Sequence, residues 1–223
     1  MASQADRSAE PRVPLSRDRV LRAAVSLADE GGISSVTMRK LAQELGVEAM
    51  TLYYYVAKKA DILDGIVDIV VSEIGVPSAG ADWKAALRRS AISAHKVLLG
   101  HPWACSLMFP PTRIRPARLR YMDSILRRLH EAGFSAKMTH HAYHALDSHI
   151  MGFTLWEAGY SGDKVKLADF GATFVRELPV DEYPHLAEHI EQHITKSSHD
   201  DKGEFEFGLD LILDGLERIR DTA

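Results

Sequence analysis

The glycine at position 46 constrains this chain more than any other residue. It sits in "KLAQELGVEAMTLYYYVAKK", Lys40 to Lys59. Read by propensity, "TLYYYV" is a β-strand, because aromatic and β-branched residues favour a pleated surface. The surroundings contradict that reading. Leu41 and Leu45 are four apart and share one helix face, and Ala42 is small enough for a second helix to cross closely. Gly46 stands where a tight turn needs positive φ, which glycine adopts freely. Val47 and Leu52 supply apolar contact from the far side. Two short helices around such a glycine are the helix-turn-helix spacing. The expectation is one helix over "MRKLAQEL", capped by Thr37, and a second from Glu48 to about Tyr55. An ordinary α-hairpin with the tyrosines in its core is the competing arrangement.

The rest of the chain reads as helical. Ser16 is placed to cap a helix whose apolar positions are Val20, Ala23, Ala24, Leu27 and Ala28, and Gly31–Gly32 ends it. A helix from Ala60 runs to "GVPSAGAD", which breaks it. Further helices are expected over Trp83–Leu99, Arg115–Glu131, Ser135–Tyr160 and Pro184–Lys196, with a last one over "EFEFGLDLILDGLERIR". The fold class expected is all-α, in three parts: a mobile arm over 1–15, a helix-turn-helix domain over 16–75, and a helical domain over 76–223.

The composition bears on location and partners. Of 223 residues, one is cysteine (Cys105), so no intrachain disulfide can form. No stretch approaches the ~18–20 apolar residues of a membrane span. The N-terminal "MASQADRSAEPRVPLSRD" lacks the apolar core of a signal peptide. A cytoplasmic location and no membrane partner are expected. The net charge of −4 is unevenly spread: residues 84–128 carry ten Lys/Arg and one acid, whereas 129–223 carry eight bases and eighteen acids. A basic run of this kind is either a solvated helix face or the footprint of an anionic partner. In the opening stretch, tyrosine hydroxyls reach phosphates or base edges, and Lys58 and Lys59 offer cations at a helix N-terminus.

"VTMRKLAQELGVEAMTLYYYVAKKADILDGI" resembles the DNA-binding domain of the TetR family of one-component repressors. The match runs through Thr37, Arg39, Leu41, Ala42, Leu45, Gly46, Val47, Thr51, Leu52, Tyr53, Tyr55, Val56, Lys59, Ile62 and Leu63. "FEFGLDLILDGLERI" is similar to the last helix of the tetracycline-repressor branch, and "GHPWACSLMFPPTRIRP" and "LHEAGFS" to its middle. The resemblance implies a homodimer whose recognition helices enter successive major grooves of a pseudo-palindromic operator. A small effector in the C-terminal domain would change their separation and release the DNA. It also implies that Arg39, Ala49, Met50, Thr51, Tyr53, Tyr54, Tyr55 and Lys59 face DNA. Arg39 would read guanine bidentately, Ala49 and Met50 would touch thymine methyls, and Tyr53, Lys58 and Lys59 would hold phosphates. Two positions depart from the pattern. Lys58 stands where an N-capping Asn or Ser is usual, and Tyr55 replaces a histidine or phenylalanine.

The last helix repeats Phe205, Leu209, Ile212, Leu216 and Ile219 at spacings of 4, 3, 4 and 3, with Gly208 and Gly215 on an adjoining face. That seam serves an intrachain core or, as the resemblance implies, a dimer interface shared with the Ser135–Tyr160 helix. The tetracycline branch holds a magnesium chelate through a histidine in the segment matching "ACSLMFPPT". Met108 stands there, and no histidine lies between His101 and His130. Trp103, Met108, Phe109, Met122, Phe134, Phe153 and Trp156 point to a hydrophobic or aromatic effector, with His144 or His149 as polar anchor. No cofactor motif is present, and an enzyme using His144 with Asp147 lacks a nucleophile or cofactor loop. The remaining alternative is metal sensing through His140/His144 or the stripe His185, His189 and His193.

Overall fold

The computed structural model describes residues 14–78, 80, 82–108, 115–160, 173–174, 176–192 and 202–222. Among them are ten α-helices and no strand: α1 Arg17–Gly31, α2 Met38–Leu45, α3 Ala49–Leu52, α4 Lys59–Ser72, α5 Trp83–Gly100, α6 Pro102–Met108, α7 Pro116–Glu131, α8 Ala136–Tyr160, α9 Pro184–Ile190 and α10 Lys202–Thr222. The chain divides into two compact units, Met1–Ile69 and Val70–Ala223.

In the first unit, the ends of α1 and α2 follow the sequence signals. Ser16 Oγ accepts from the Arg19 amide at 3.2 Å, and Thr37 Oγ1 accepts from the Lys40 amide at 3.2 Å. Each bond satisfies one of the orphan donors of a first helical turn. Gly46 closes α2 at φ 66°, ψ 37°, the left-handed region. The core is Val20, Leu21, Ala24, Ala28, Val36, Leu41, Ala42, Leu52, Val56, Ile62, Ile66 and Val67. α1 packs so tightly on α4 at Gly65 that an added Cβ would lie 2.6 Å from Leu21 Cδ1.

α3 is shorter than the spacing predicts. It ends at Leu52, and Tyr53–Tyr55 continue as turns closed by i→i+3 bonds from Tyr53, Tyr54 and Tyr55 to Met50, Thr51 and Leu52. Leu52 and Val56 are the buried anchors. A helix this short has little stability of its own and is held by their packing. At the start of α4 the missing cap is supplied from inside: Asp61 Oδ2 accepts from the Lys58 amide at 3.2 Å. This is the reciprocal half of a capping box, and it makes a polar cap side chain at 58 dispensable.

In the second unit, α5 packs on α6, α7, α8 and α10. Its Ala86, Ser90, Ala91 and Ala94 are buried and small, which admits neighbouring helices closely. Asp82 Oδ1 caps α5 by accepting from the Ala85 amide at 2.8 Å. Trp83 meets Phe134 edge-on at 5.1 Å, with the Arg220 guanidinium 5.2 Å from the Trp83 ring centroid. The basic face of α5 turns out to be neither wholly solvated nor held open for a partner. Lys84 Nζ lies 2.6 Å from both Asp214 and Glu217, and Arg88 pairs with Asp210 at 2.7 Å and Glu206 at 2.5 Å, so α5 and acidic α10 neutralise one another.

The buried seam of α10 is Phe205, Leu209, Leu213 and Leu216. Leu213 therefore takes the inward place expected for Ile212. Ile212 is half-buried and Ile219 is exposed. Among the described residues, no helix is long and apolar enough to cross a membrane.

Candidate nucleic-acid interface and effector site

The helix-turn-helix buries what it needs for packing and exposes the rest. Leu41, Ala42 and Leu52 are inside. Met50 is 73% exposed and Tyr54 89%, and Tyr53 is exposed beside them. Arg39, Lys58 and Lys59 are exposed, whereas Ala49, Thr51 and Tyr55 are half-buried. A methionine and a tyrosine held this far into water contribute nothing to the core. The three cations make no ion pair among the described residues, so their charge is unspent. The arrangement offers an anionic, groove-shaped polymer both phosphate-binding cations and a central apolar contact.

The residues expected to line an effector pocket differ in how far they are open to a ligand. Trp103 and Met108 are buried on α6, Met122 is half-buried on α7, and His144 is exposed on α8. Phe109 lies outside the described residues. Phe153 and His149 belong to a packed aromatic cluster. Phe205 stacks on the His95 ring at 4.0 Å and on His149 at 4.9 Å, and Phe153 meets Phe205 edge-on at 5.6 Å. His149 is not a free anchor, because its Nε2 lies 2.9 Å from the Phe205 carbonyl. Gly208 makes room for that ring: a Cβ there would sit 2.6 Å from His149 Cε1. Trp156 is 48% exposed at the cluster's edge.

His95 is the polar centre of the cluster. Its Nδ1 lies 2.9 Å from Thr154 Oγ1, which itself donates to the Ile150 carbonyl at 2.7 Å. Nε2 faces Glu157 at 3.0 Å. Sequence reasoning missed His95, which carried no spacing signal.

A shallow cleft of about 310 Å³ lies between the end of α4 with its linker (Val71, Ile74, Val76) and α7 (Ala117, Tyr121, Arg120, Arg127). The linker itself is fastened: Ser90 Oγ donates to the Gly75 carbonyl at 2.7 Å, the Gly75 amide donates to Ser93 Oγ at 2.8 Å, and Arg128 Nη2 donates to the Ser78 carbonyl at 2.8 Å. Anything that shifts α5 or α7 therefore pulls on the segment that follows α4.

The histidine sets stand apart from these features. His140 and His144 have ring centroids 4.5 Å apart on the exposed side of α8, and His185 and His189 are exposed on α9. His193 lies outside the described residues. Among the described residues no three His, Cys, Asp or Glu side chains are grouped to hold a metal ion. The described residues give metal sensing no support.

The comparisons agree with this arrangement. The description "Bacterial regulatory proteins, tetR family" matches residues 20–66, and "Tetracyclin repressor-like, C-terminal domain" matches residues 76–220. Tetracycline repressor protein class D of Escherichia coli is 31% identical over 208 residues, covering 91% of this chain and 89% of that protein. The HTH-type transcriptional repressor DrrR1 of Streptomyces coeruleorubidus is 30% identical over 217 residues, 93% of this chain and 79% of that one. A solved structure of a possible TetR family transcriptional regulator from Streptomyces coelicolor A3(2) superposes with a TM-score of 0.75 at 31% identity, over 92% of this chain and 100% of that chain. The chain belongs to the tetR family of bacterial regulatory proteins and is a transcriptional repressor.

Proposed function

We propose that this repressor works as a homodimer on a palindromic DNA operator and leaves it when a small, largely apolar effector occupies residues 76–223. Residues 16–75 would form the DNA-binding domain. The observation that carries the reading is the outward set on the helix-turn-helix: three cations without ion pairs among the described residues, Arg39, Lys58 and Lys59, around the exposed Met50, Tyr53 and Tyr54. Arg39 is assigned to a base edge, Met50 and Ala49 to thymine methyls, and Tyr53, Lys58 and Lys59 to phosphates, with Thr51, Tyr54 and Tyr55 completing the face.

Dimerisation is assigned to the flank of α10 turned away from its buried seam. Phe207 is 68% exposed there and Leu211 56%, with Ile219 exposed and Ile212 and Gly215 half-buried beside them. A further apolar strip, with exposed Gly152 and Leu155, lies on α8. A Cβ on Gly215 would meet nothing within 4 Å among the described residues, which leaves that side open to a second copy. Gly208, by contrast, already has an intrachain reason in His149.

The effector would act through α4, which begins in one unit and ends in the other. For release, it must bind the DNA-incompetent state more tightly than the competent one. Without a histidine at Met108, a magnesium chelate lacks its ligand, so hydrophobic or aromatic compounds are the expected class. Regulators of this family are typically non-enzymatic transcription factors, in keeping with that role. The test is duplex selection from a random pool followed by release assays with aromatic compounds and with magnesium–tetracycline. Release by magnesium–tetracycline alone would overturn the effector assignment.

A further inference from the structure

The seam between α7 and α8 holds four polar groups without hydrogen-bond partners among the described residues, two of them fully buried hydroxyls. Thr139, Tyr143 and Asp147 lie at i, i+4 and i+8 on α8 and so share one face, about 12 Å long at 1.5 Å per residue. The Thr139 Oγ1 and Tyr121 hydroxyls are each buried with no hydrogen-bond partner. Ser90 stands beside Tyr121 but falls short of hydrogen-bond geometry, and its own proton goes to the Gly75 carbonyl. Tyr143 and Asp147 likewise make no hydrogen bond or ion pair among the described residues.

These groups are near neighbours. The Asp147 charge acts on both Tyr121 and Tyr143, and the Arg118 charge reaches Asp147 and Tyr143. Four hydrogen-bonding groups thus face one seam without bonding to one another. A core normally pairs hydroxyls as buried as those of Thr139 and Tyr121, because each one left unmet costs free energy. Burial raises the Asp147 carboxyl above its ordinary range and pushes Tyr143 up to about 12, so both phenols keep their protons to donate.

We propose that Thr139, Tyr143 and Asp147 of α8, with Tyr121 of α7, are the polar anchor of the effector site and take hydroxyl groups of an elongated, otherwise apolar ligand. The inference rests on the ligand-responsive reading above and names the chemistry of that site. A ligand hydroxyl suits it because it donates to the carboxyl of Asp147 while accepting from a phenol. An ammonium only donates, and it would sit in the field of the Arg118 guanidinium. The anchor is therefore Asp147 rather than the exposed His144 or the occupied His149.

The experiment compares 4,4′-biphenol with 4,4′-dimethoxybiphenyl on the full chain without DNA, by titration calorimetry, with 4-(aminomethyl)biphenyl as the ammonium arm. The wild type is expected to bind the diphenol at least about tenfold more tightly than the ether or the ammonium, since both leave buried groups unpaired. Asp147→Leu and Tyr121→Phe should each shrink that ratio several-fold while leaving the ether's affinity and the melting temperature unchanged or higher. Equal affinities in the wild type, no diphenol binding up to millimolar concentration, or an unchanged ratio in both variants would overturn the proposal. So would a fall of several degrees in both melting temperatures, which would assign these groups to holding the core. Failure of the wild type to select any duplex would sink the repressor reading instead and leave the diphenol ratio standing.

Discussion

The two units treat their polar groups in opposite ways. In the helix-turn-helix unit the one buried polar side chain among the described residues, Ser35, is bonded to the Leu27 and Gly32 carbonyls, and Arg39, Lys58 and Lys59 are exposed without ion-pair partners among the described residues. In the second unit Lys84 and Arg88 are spent on acids of α10, while the interior keeps unmatched hydroxyls at Tyr121 and Thr139. The difference follows from what each unit meets. Duplex DNA is a fixed polyanion, so its reader needs a rigid scaffold and free surface cations. A small ligand enters a core, so its receptor has to leave interior groups unpaired until it arrives.

The contrast can be broken most severely at Leu52, the buried anchor of α3. Leu52→Ala should cost about 2–5 kcal/mol. Because so short a helix has no stability of its own, operator binding should vanish with it. Calorimetric unfolding of the full chain should show the loss, and an unchanged melting curve would mean that α3 is held by something else.

Two glycines of α10 sharpen the contrast within the second unit. Gly208→Ala places a methyl 2.6 Å from His149 and should destabilise the protomer itself, by about 1–3 kcal/mol. A Cβ at Gly215 meets no described atom within 4 Å, so Gly215→Leu should leave protomer folding intact and dissociate the dimer. Sedimentation with circular dichroism separates the outcomes, and an intact Gly215→Leu dimer would move the interface off this flank.

On the DNA face, Arg39→Ala should relax preference at one base pair by about 1–3 kcal/mol. Lys59→Ala should weaken all duplexes alike and lower the salt slope by about one. If both variants shift every sequence equally, Arg39 is a phosphate contact.

The smallest effect concerns the pairs between α5 and α10. Arg88→Ala should cost no more than about 1 kcal/mol at neutral pH, because the pair is partly solvated. Hydrogen bonding from Arg88 holds the Asp210 carboxyl below its ordinary value of 3.8. A depressed carboxyl pKa gives stability that is present above the unfolded value and lost as pH falls through the folded one. The difference between wild type and Arg88→Ala should therefore fade only below about pH 4, read from denaturant midpoints across pH.

The first unit was legible because its signals are local. Ser16, Thr37 and Gly46 act within four residues of their own positions, and the spacing of Leu41, Leu45 and Leu52 follows one helix pair. The early end of α3 at Leu52 escaped, since only packing decides where so short a helix stops. In the second unit, helix boundaries followed Gly133, Ser135 and Pro102, but partners did not. Nothing in the spacing pairs Arg88 with Asp210, brings Phe205 onto His95, or separates Ile212 from Leu213 by a small rotation of α10. Two of the expected pocket residues show the same limit: Phe153 and His149 were apolar and polar candidates by type, and both take part in the cluster around Phe205. Long-range contacts between faces of equal periodicity are not written in one chain's pattern.

The most direct test of the account is selection of bound duplexes from a random-sequence pool by the full chain. Two inverted half-sites centred about one helical turn apart should be enriched, with binding that falls steeply as salt rises. Enrichment of a single unrepeated half-site, or of no sequence at all, would contradict a dimeric operator-binding repressor.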